Sequence, residues 1–433
     1  MAIPVPEKRV KDFEEMGFGM FVHWGLYALL GQGEWARYLR KIPKEEYAKL
    51  ADDFAVTKFD GRELARIAKR AGAKYITLTT RHHDGFSLFD TMGLDDFDAP
   101  HSAAKRDLIR EFVDGCNAEG IKPFFYHTKL DWNHPTYHQD FDAYLEYLHK
   151  SVEVLCTQYG PVGGFWFDGN WDRPPETDWK DDDLYALIRR HQPDCIIVDN
   201  AGMHRMGEAS NPNLDSVTFE QGRPTPMNRE GMSKYMAAEM CQTINQHWGY
   251  GKADFNYKSL AYLIETLCAC RKVGANYLLN VGPDGDGKVP TMQAELMAGI
   301  GDWINTCGQS IYKAKPCGVT GTGKNFALRD GNKIYFYIHD LSVVGDSNVV
   351  PEGGRAGEKA AETLRQGVDA CGETAELAAA LDALTPVMAD AEAMAVRLEA
   401  MTYELEDIAL TVGALSEEAG DDPTGELDKI ETR

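Results

Sequence analysis

A chain of 433 residues, 43% hydrophobic and 26% charged, can bury a large core and leaves room for a smaller second domain. Its formal charge of −23 repels phosphate backbones and so argues against nucleic-acid binding. No apolar run reaches the roughly 18 residues of a membrane span, and the charged opening MAIPVPEKRVKDFEEMGFGM lacks an apolar signal core, which predicts a cytoplasmic protein that does not engage membranes.

From residue 17 to about 306 two patterns alternate. Short apolar or β-branched runs predict strands at 18–23 (FGMFVH), 74–79 (KYITLT), 121–126 (IKPFFY), 163–167 (GGFWF), 194–198 (DCIIV), 215–219 (DSVTF) and 275–281 (ANYLLNV). Helical stretches lie between them. In 105–118 one apolar face is made by Leu108, Ile109, Phe112, Val113 and Cys116; in 258–272 by Leu260, Leu263, Ile264 and Leu267. Such alternation implies parallel pairing with right-handed crossovers. It fits an α/β fold, a (β/α) TIM-like barrel over residues 1–310. No GxGxxG follows an early strand, which argues against a dinucleotide fold. The nine cysteines are scattered, with no CxxC pair, and read as reduced core residues.

After 306 the pattern changes. KNFALRDGNKIYFYIHDL alternates like strands around an Asp330-Gly331 turn, so 311–350 reads as a truncated C-terminal β segment. Residues 351–433 hold 20 acidic and 6 basic side chains, a charge of −14, which leaves −9 for the first 350. Runs such as LAAALDAL and MAVRLEAMTYELEDIAL predict an acidic helical tail, a candidate coiled coil expected to pack weakly or self-associate.

Working residues of a barrel sit at the C-terminal ends of its strands. The predicted strands end in His23-Trp24-Gly25, in Arg81-His82-His83-Asp84-Gly85, in Tyr126-His127 running on to Asp131-Trp132, in Trp166-Phe167-Asp168-Gly169, and in Phe219-Glu220. A ring of histidines, carboxylates and aromatics suits a sugar, because polar side chains bond hydroxyls and aromatic rings cover apolar ring faces. Each member has a plainer reading. An aspartate after a strand is commonly a turn or cap residue. His82 and His83 are adjacent on a strand, so their side chains are expected on opposite faces, which weakens a metal site. The spacing of His127, Asp131 and His134 matches no zinc signature. No metal and no cofactor is expected.

The strings GMFVHWGLYAL, GEWARYL, AGAKYITLTTRHHDGFSLFD, LDWNHP, GGFWFDGNW and GANYLLNVGPDGDGKVP, taken together, resemble glycoside hydrolase family 29, the α-L-fucosidases, over residues 10 to about 315. The resemblance implies an exo-acting, retaining enzyme that removes terminal α-L-fucose from fucosylated oligosaccharides or glycoconjugates by double displacement. It implies Asp168 as nucleophile and Glu220 as acid/base, with Glu239 the alternative acid/base and otherwise a supporting partner. It implies substrate contacts from His23, Glu34, Trp35, His82, His83, Tyr126 and Trp166. Trp248 falls where an aromatic meets the C5 methyl of fucose, a contact worth about 0.8 kcal/mol per buried carbon. Two positions depart from the pattern. Some members carry arginine where this chain has Asn200, and a small residue is common where it has His127. The same fold acting on another sugar, such as a galactoside, and a carbohydrate-binding protein without activity are the competing readings; the presence of both Asp168 and Glu220 argues against the second.

Overall fold

The computed structural model of the protein describes residues 3–320 and 324–337; the tail expected over 351–433 lies outside them. Eight parallel strands close into a barrel in sequence order: β1 (Phe18–Val22), β2 (Tyr75–Arg81), β3 (Lys122–Thr128), β4 (Gly164–Asp168), β5 (Ile196–Asp199), β6 (Ser216–Glu220), β7 (Ala237–Thr243) and β8 (Asn276–Val281). β8 returns to β1 in the register Phe18↔Tyr277 to Val22↔Val281 and completes the ring. The strands are buried on both faces, as parallel strands under crossover helices must be.

Seven strands were expected and eight are present. The additional one is β7, whose sequence Ala-Ala-Glu-Met-Cys-Gln-Thr holds residues that favour helices and only one β-branched side chain. Pairing on both edges, Thr218↔Glu239 with β6 and Glu239↔Asn276 with β8, overrides that preference. The helices read at 105–118 and 258–272 occupy Leu108–Glu119 and Leu260–Lys272. The connections 200–215 and 221–236 contain turns and bends but no helix, so loops cover the wall outside β5 and β6.

The helix Lys8–Met16 packs at the strand-start end of the barrel. Val10 and Phe13 join one core cluster with Tyr75, Phe124, Ile196 and Ala237 at or near the beginnings of their strands. Asn276 Nδ2 donates to the Phe13 carbonyl at 2.7 Å and the buried Arg271 guanidinium donates to the Glu14 carbonyl at 3.0 Å, which fixes the helix there. With that end filled, the opposite end, where the strands finish, is the one at which working residues of such a barrel are expected.

Beyond the barrel, β9 (Lys315–Thr320), β10 (Phe326–Asp330) and β11 (Lys333–Tyr337) form a three-stranded sheet in the order β11-β10-β9. Gly331 takes φ +57° in the turn read at Asp330-Gly331. Among the described residues no helix is long and apolar enough to cross a membrane. Cys116, Cys156, Cys195, Cys241, Cys268 and Cys270 are free and buried, in line with core residues, and Cys317 is free and half-buried.

Candidate active site

β4 ends on Asp168, and Gly169 then turns the chain away at φ +94°, where a Cβ would also meet Leu130 at 2.6 Å. The turn leaves the carboxylate pointing into the mouth with donors on both oxygens. The Tyr126 hydroxyl donates to Oδ2 at 3.0 Å; Trp171 Nε1 and Asn200 Nδ2 donate to Oδ1 at 3.0 and 3.2 Å. Burial raises the Asp168 carboxyl above its ordinary range, and these bonds, with the Gly169 N–H, act in the opposite direction.

Glu220 ends β6, two strands round the ring. Its Oε2 accepts from the same Asn200 Nδ2 at 2.7 Å. One amide nitrogen therefore spans both carboxyls. The two oxygens it touches therefore lie within about 6 Å of each other, the sum of those two distances, which brings both carboxyls to one place in the mouth. Thr218 Oγ1 and the Gly202 N–H donate to Asn200 Oδ1 at 2.9 and 3.2 Å, which fixes the amide's orientation. Burial, and then the charge of Asp168, push Glu220 up to about 7; the Asn200 bond offsets part of that rise. Asp168 has four donors and Glu220 has one, so the shared proton belongs on Glu220.

Three histidines line the mouth as neutral rings. His23 is pushed down to about 3, foremost by burial; His83 likewise; His82 lies well below its ordinary value for the same reason. Their neighbours assign the tautomers. Asn280 Nδ2 donates to the Trp248 carbonyl, so its Oδ1 faces His23 Nδ1 at 2.7 Å and accepts the ring proton, leaving His23 Nε2 an acceptor. Thr128 donates its hydroxyl proton to the Leu130 carbonyl, so it accepts from His83 Nδ1 at 2.7 Å. His83 Nε2 is then an acceptor, 3.5 Å from Asp168 Oδ2. Two acceptors facing each other leave a position for a hydroxyl proton. His82 Nδ1 is buried with no partner in the protein, which gives that ring an open hydrogen-bonding site as well.

His82 and His83 were expected on opposite faces. They follow the last residue of β2, the alternation has ended there, and their rings lie 4.1 Å apart. His127 was grouped with the mouth residues by position, and the structure removes it. Within β3 it points outward, where Arg81 Nη2 donates to Nε2 at 2.6 Å and Thr80 Oγ1 lies 2.8 Å from Nδ1. It belongs to a buried polar cluster with Ser151. Asp131 accepts the N–H groups of Asn133 and His134 at 2.7 and 2.8 Å, an ordinary turn. Among the described residues no group of three or more His, Cys, Asp or Glu is disposed to hold a metal.

Of the remaining expected residues, Glu34 is buried and accepts the Gly249 N–H at 2.7 Å, tying the loop after β1 to the loop after β7. Trp248 lies 5.0 Å from the His23 ring. Trp35 stands 5.8 Å from the His83 ring. Tyr126 stacks on Trp166 at 5.6 Å. Glu239 lies within the barrel, fully buried, taking the Tyr75 hydroxyl on one oxygen and Trp166 Nε1 on the other at 3.0 Å. Burial pushes it up to about 7. Two residues of the mouth had been given no role from the sequence. Asn200 had been noted only as a departure, although it follows β5 directly and the strand-end rule reaches it. Trp171 stood inside the string GGFWFDGNW, and nothing in its spacing indicates a contact with Asp168.

A profile of the family described as Alpha-L-fucosidase matches residues 5–309. The chain is 30% identical to the tissue alpha-L-fucosidase of Mus musculus over 333 residues, 70% of this chain and 71% of that one. Among solved structures it is similar to alpha-L-fucosidase isoenzyme 1 from Paenibacillus thiaminolyticus, with TM-score 0.69 and 35% identity over 76% of this chain and 82% of that one. It is also similar to a Bacteroides thetaiotaomicron alpha-L-fucosidase trapped as a covalent intermediate, with TM-score 0.67 and 26% identity over 77% of this chain and 82% of that one.

Proposed function

The chain belongs to the α-L-fucosidase family and is an α-L-fucosidase, and from that premise we propose that it is an exo-acting, retaining enzyme that releases terminal α-L-fucose from fucosylated oligosaccharides or glycoconjugates. The observation that carries the reading is the Asn200 amide spanning Asp168 and Glu220, which keeps both carboxyls within reach of one anomeric carbon. Asp168 attacks that carbon as the C1–O bond to the leaving group breaks, while the Glu220 proton passes to the departing oxygen. Fucose is then held as an ester on Asp168. Glu220, now a carboxylate, takes a proton from water, whose oxygen attacks C1 and frees Asp168. The net change is one water consumed and fucose released with its α configuration kept.

Around the pair, His23, His82, His83 and Glu34 supply hydrogen-bonding groups for ring hydroxyls, and Trp35, Tyr126, Trp166 and Trp248 supply aromatic walls. An acceptor at His23 Nε2 and another at His83 Nε2 require hydroxyl donors, which a sugar provides. Glu239 fits a positioning role: both its oxygens are engaged, and through Trp166 it supports the Tyr126 ring whose hydroxyl meets Asp168. Every residue of this scheme falls within 1–310, the stretch read as the catalytic domain.

The test is the stereochemistry of the first product. Proton NMR of an alkyl α-L-fucoside during the first minutes of hydrolysis should show α-L-fucose ahead of the β anomer. If β-fucose forms first, the displacement is single and Asp168 is not a nucleophile.

A further inference from the structure

We propose that Lys129 and Asp199, paired on the outer side of the barrel wall, are positioning residues that set the separation of the two donors on the Asp168 carboxylate. This rests on the catalytic reading above and adds to that site two residues that do not meet the substrate.

β4, which carries Asp168, lies between the two strands that supply those donors. Tyr126 belongs to β3 and reaches Asp168 Oδ2 at 3.0 Å; Asn200 follows β5 and reaches Oδ1 at 3.2 Å. On the other side of the wall the same two strand ends meet again. Lys129 follows β3 directly, Asp199 ends β5, and the lysine Nζ donates to Asp199 Oδ2 at 2.5 Å. Between them Phe167, the outward neighbour of Asp168 on β4, lies 5.8 Å from the ammonium. Backbone bonds carry the link inward. The Lys129 N–H donates to the Asp168 carbonyl at 2.7 Å, and the Asn200 N–H donates to the Phe167 carbonyl at 2.9 Å.

The pair is fully buried. Asp181, the first residue of the helix Asp181–His191, accepts a second bond from Lys129 at 2.6 Å, and Tyr185 of that helix donates to Asp199 Oδ2 at 2.8 Å. Asp199 Oδ1 is buried with no partner among the described residues, so the lysine is what balances that charge. Trp179 and Tyr185 complete an aromatic box with Phe167, their rings 5.8 and 5.7 Å from the ammonium. Burial opposes the charge on Lys129, and the two carboxylates outweigh it and hold the ammonium above its ordinary value.

Stability alone does not account for an ion pair in such surroundings. Its lost hydration offsets most of its attraction, and apolar side chains of similar size often fill such a place with equal or greater stability. Apolar packing is non-directional, whereas short charge-assisted bonds fix the distance between two strand ends. Asp199 and Asn200 are consecutive, so a shift of Asp199 away from Lys129 carries the Asn200 amide away from its places on Asp168 and Glu220. A misplacement of about 1 Å at a reacting group can cost about 100-fold in rate.

The experiment is a double-mutant cycle read as kcat/KM for an aryl fucoside per folded molecule, with the folded fraction taken from circular dichroism. Asp199→Asn keeps the shape of the side chain and leaves Asp181 to pair with Lys129, so the fold is retained. It should lower kcat/KM about 5- to 50-fold in the otherwise native enzyme and less than about 2-fold in an Asn200→Ala background, where no amide is left to misplace. Combining Lys129→Met with Asp199→Asn, which removes both charges of the pair together, should give the same pattern. Tyr185→Phe removes a bond to the same Asp199 oxygen but leaves Lys129 in place, and should leave kcat/KM unchanged. A loss of equal size in both backgrounds, or no loss in either, overturns the proposal, since a purely structural pair does not distinguish them. Near-wild-type turnover by Asp168→Gly would instead overturn the catalytic reading beneath it.

Discussion

Replacing Asn200 by alanine removes the 3.2 Å bond to Asp168 and the 2.7 Å bond to Glu220, together with the two bonds from Thr218 and Gly202 that orient the amide. Alanine leaves room for the backbone of 200–202 to keep its course, since the Asn200 N–H bonds the Phe167 carbonyl at 2.9 Å independently of the side chain. A hydrogen bond to a charged group contributes about 1.5–3 kcal/mol, so loss of the bond that steadies the Asp168 anion should lower kcat/KM about 10- to 150-fold. The pH profile should move as well. Asn200 lowers the pKa of both carboxyls, so its removal raises both. In the proposed mechanism the enzyme works between ionisation of Asp168 and ionisation of Glu220, the latter pushed up to about 7. Raising both shifts the acid limb and the alkaline limb towards higher pH together. The assay is fucose release from an alkyl fucoside, whose basic leaving oxygen keeps the acid step visible, across the pH range in which the fold is stable by circular dichroism. A variant whose profile superimposes on that of the wild type, at whatever rate, would refute the bridging role.

The other expectations concern the carboxyls themselves. Asp168→Gly should lose at least about three orders of magnitude in turnover of an aryl fucoside, with partial recovery in azide through formation of β-fucosyl azide, identified by mass and NMR; near-wild-type turnover would remove Asp168 from the nucleophile role. Glu220→Ala should cost alkyl fucosides about 10²–10⁴-fold and activated aryl fucosides much less, because a general acid matters most to a basic leaving group; equal losses on both would count against it. Glu239→Gln keeps the shape of a group that burial already pushes up to about 7 and should cost less than about 10-fold, without dependence on the leaving group. A leaving-group dependence in that variant and none in Glu220→Ala would exchange the two assignments.

The parts of the molecule that were legible in the sequence are those where one physical signal acts alone. Asp168 follows GGFWF, a buried strand between two helical stretches, so its strand-end position could be read directly. β7 could not, because its alanines, glutamate and methionine favour a helix and only the neighbouring strands decide otherwise. His82 and His83 were read as a strand pair, yet β2 ends at Arg81 and the rule of alternating faces no longer applies to them. His127 failed in the opposite sense: it is within β3, where alternation does hold, and with Tyr126 inward it had to face outward to Arg81.

Glu220, the proposed acid/base, was harder to read than Asp168 for a structural reason. Asp168 lies on a strand of an ordinary strand–helix unit, followed by Asp181–His191. Asn200 and Glu220 follow or end the two strands whose outgoing connections, 200–215 and 221–236, have no helix. Helical periodicity is what marks the spacing between successive strands of a barrel in sequence, and in this stretch it is missing. Turn-rich loops leave the register of β6 to be set by its partners: Ser216 pairs with Val198 on one side and with Ala237 on the other. That register brings Glu220 to the mouth and keeps Glu239, beside Thr218, below it, which is the distinction the two carboxylates' sequence neighbourhoods do not contain. In the same stretch the Asn200 amide links the two strand ends through Asp168 and Glu220. The neutral amide holds Glu220 near Asp168 without contributing the positive charge that would draw away the proton the proposed mechanism requires Glu220 to keep.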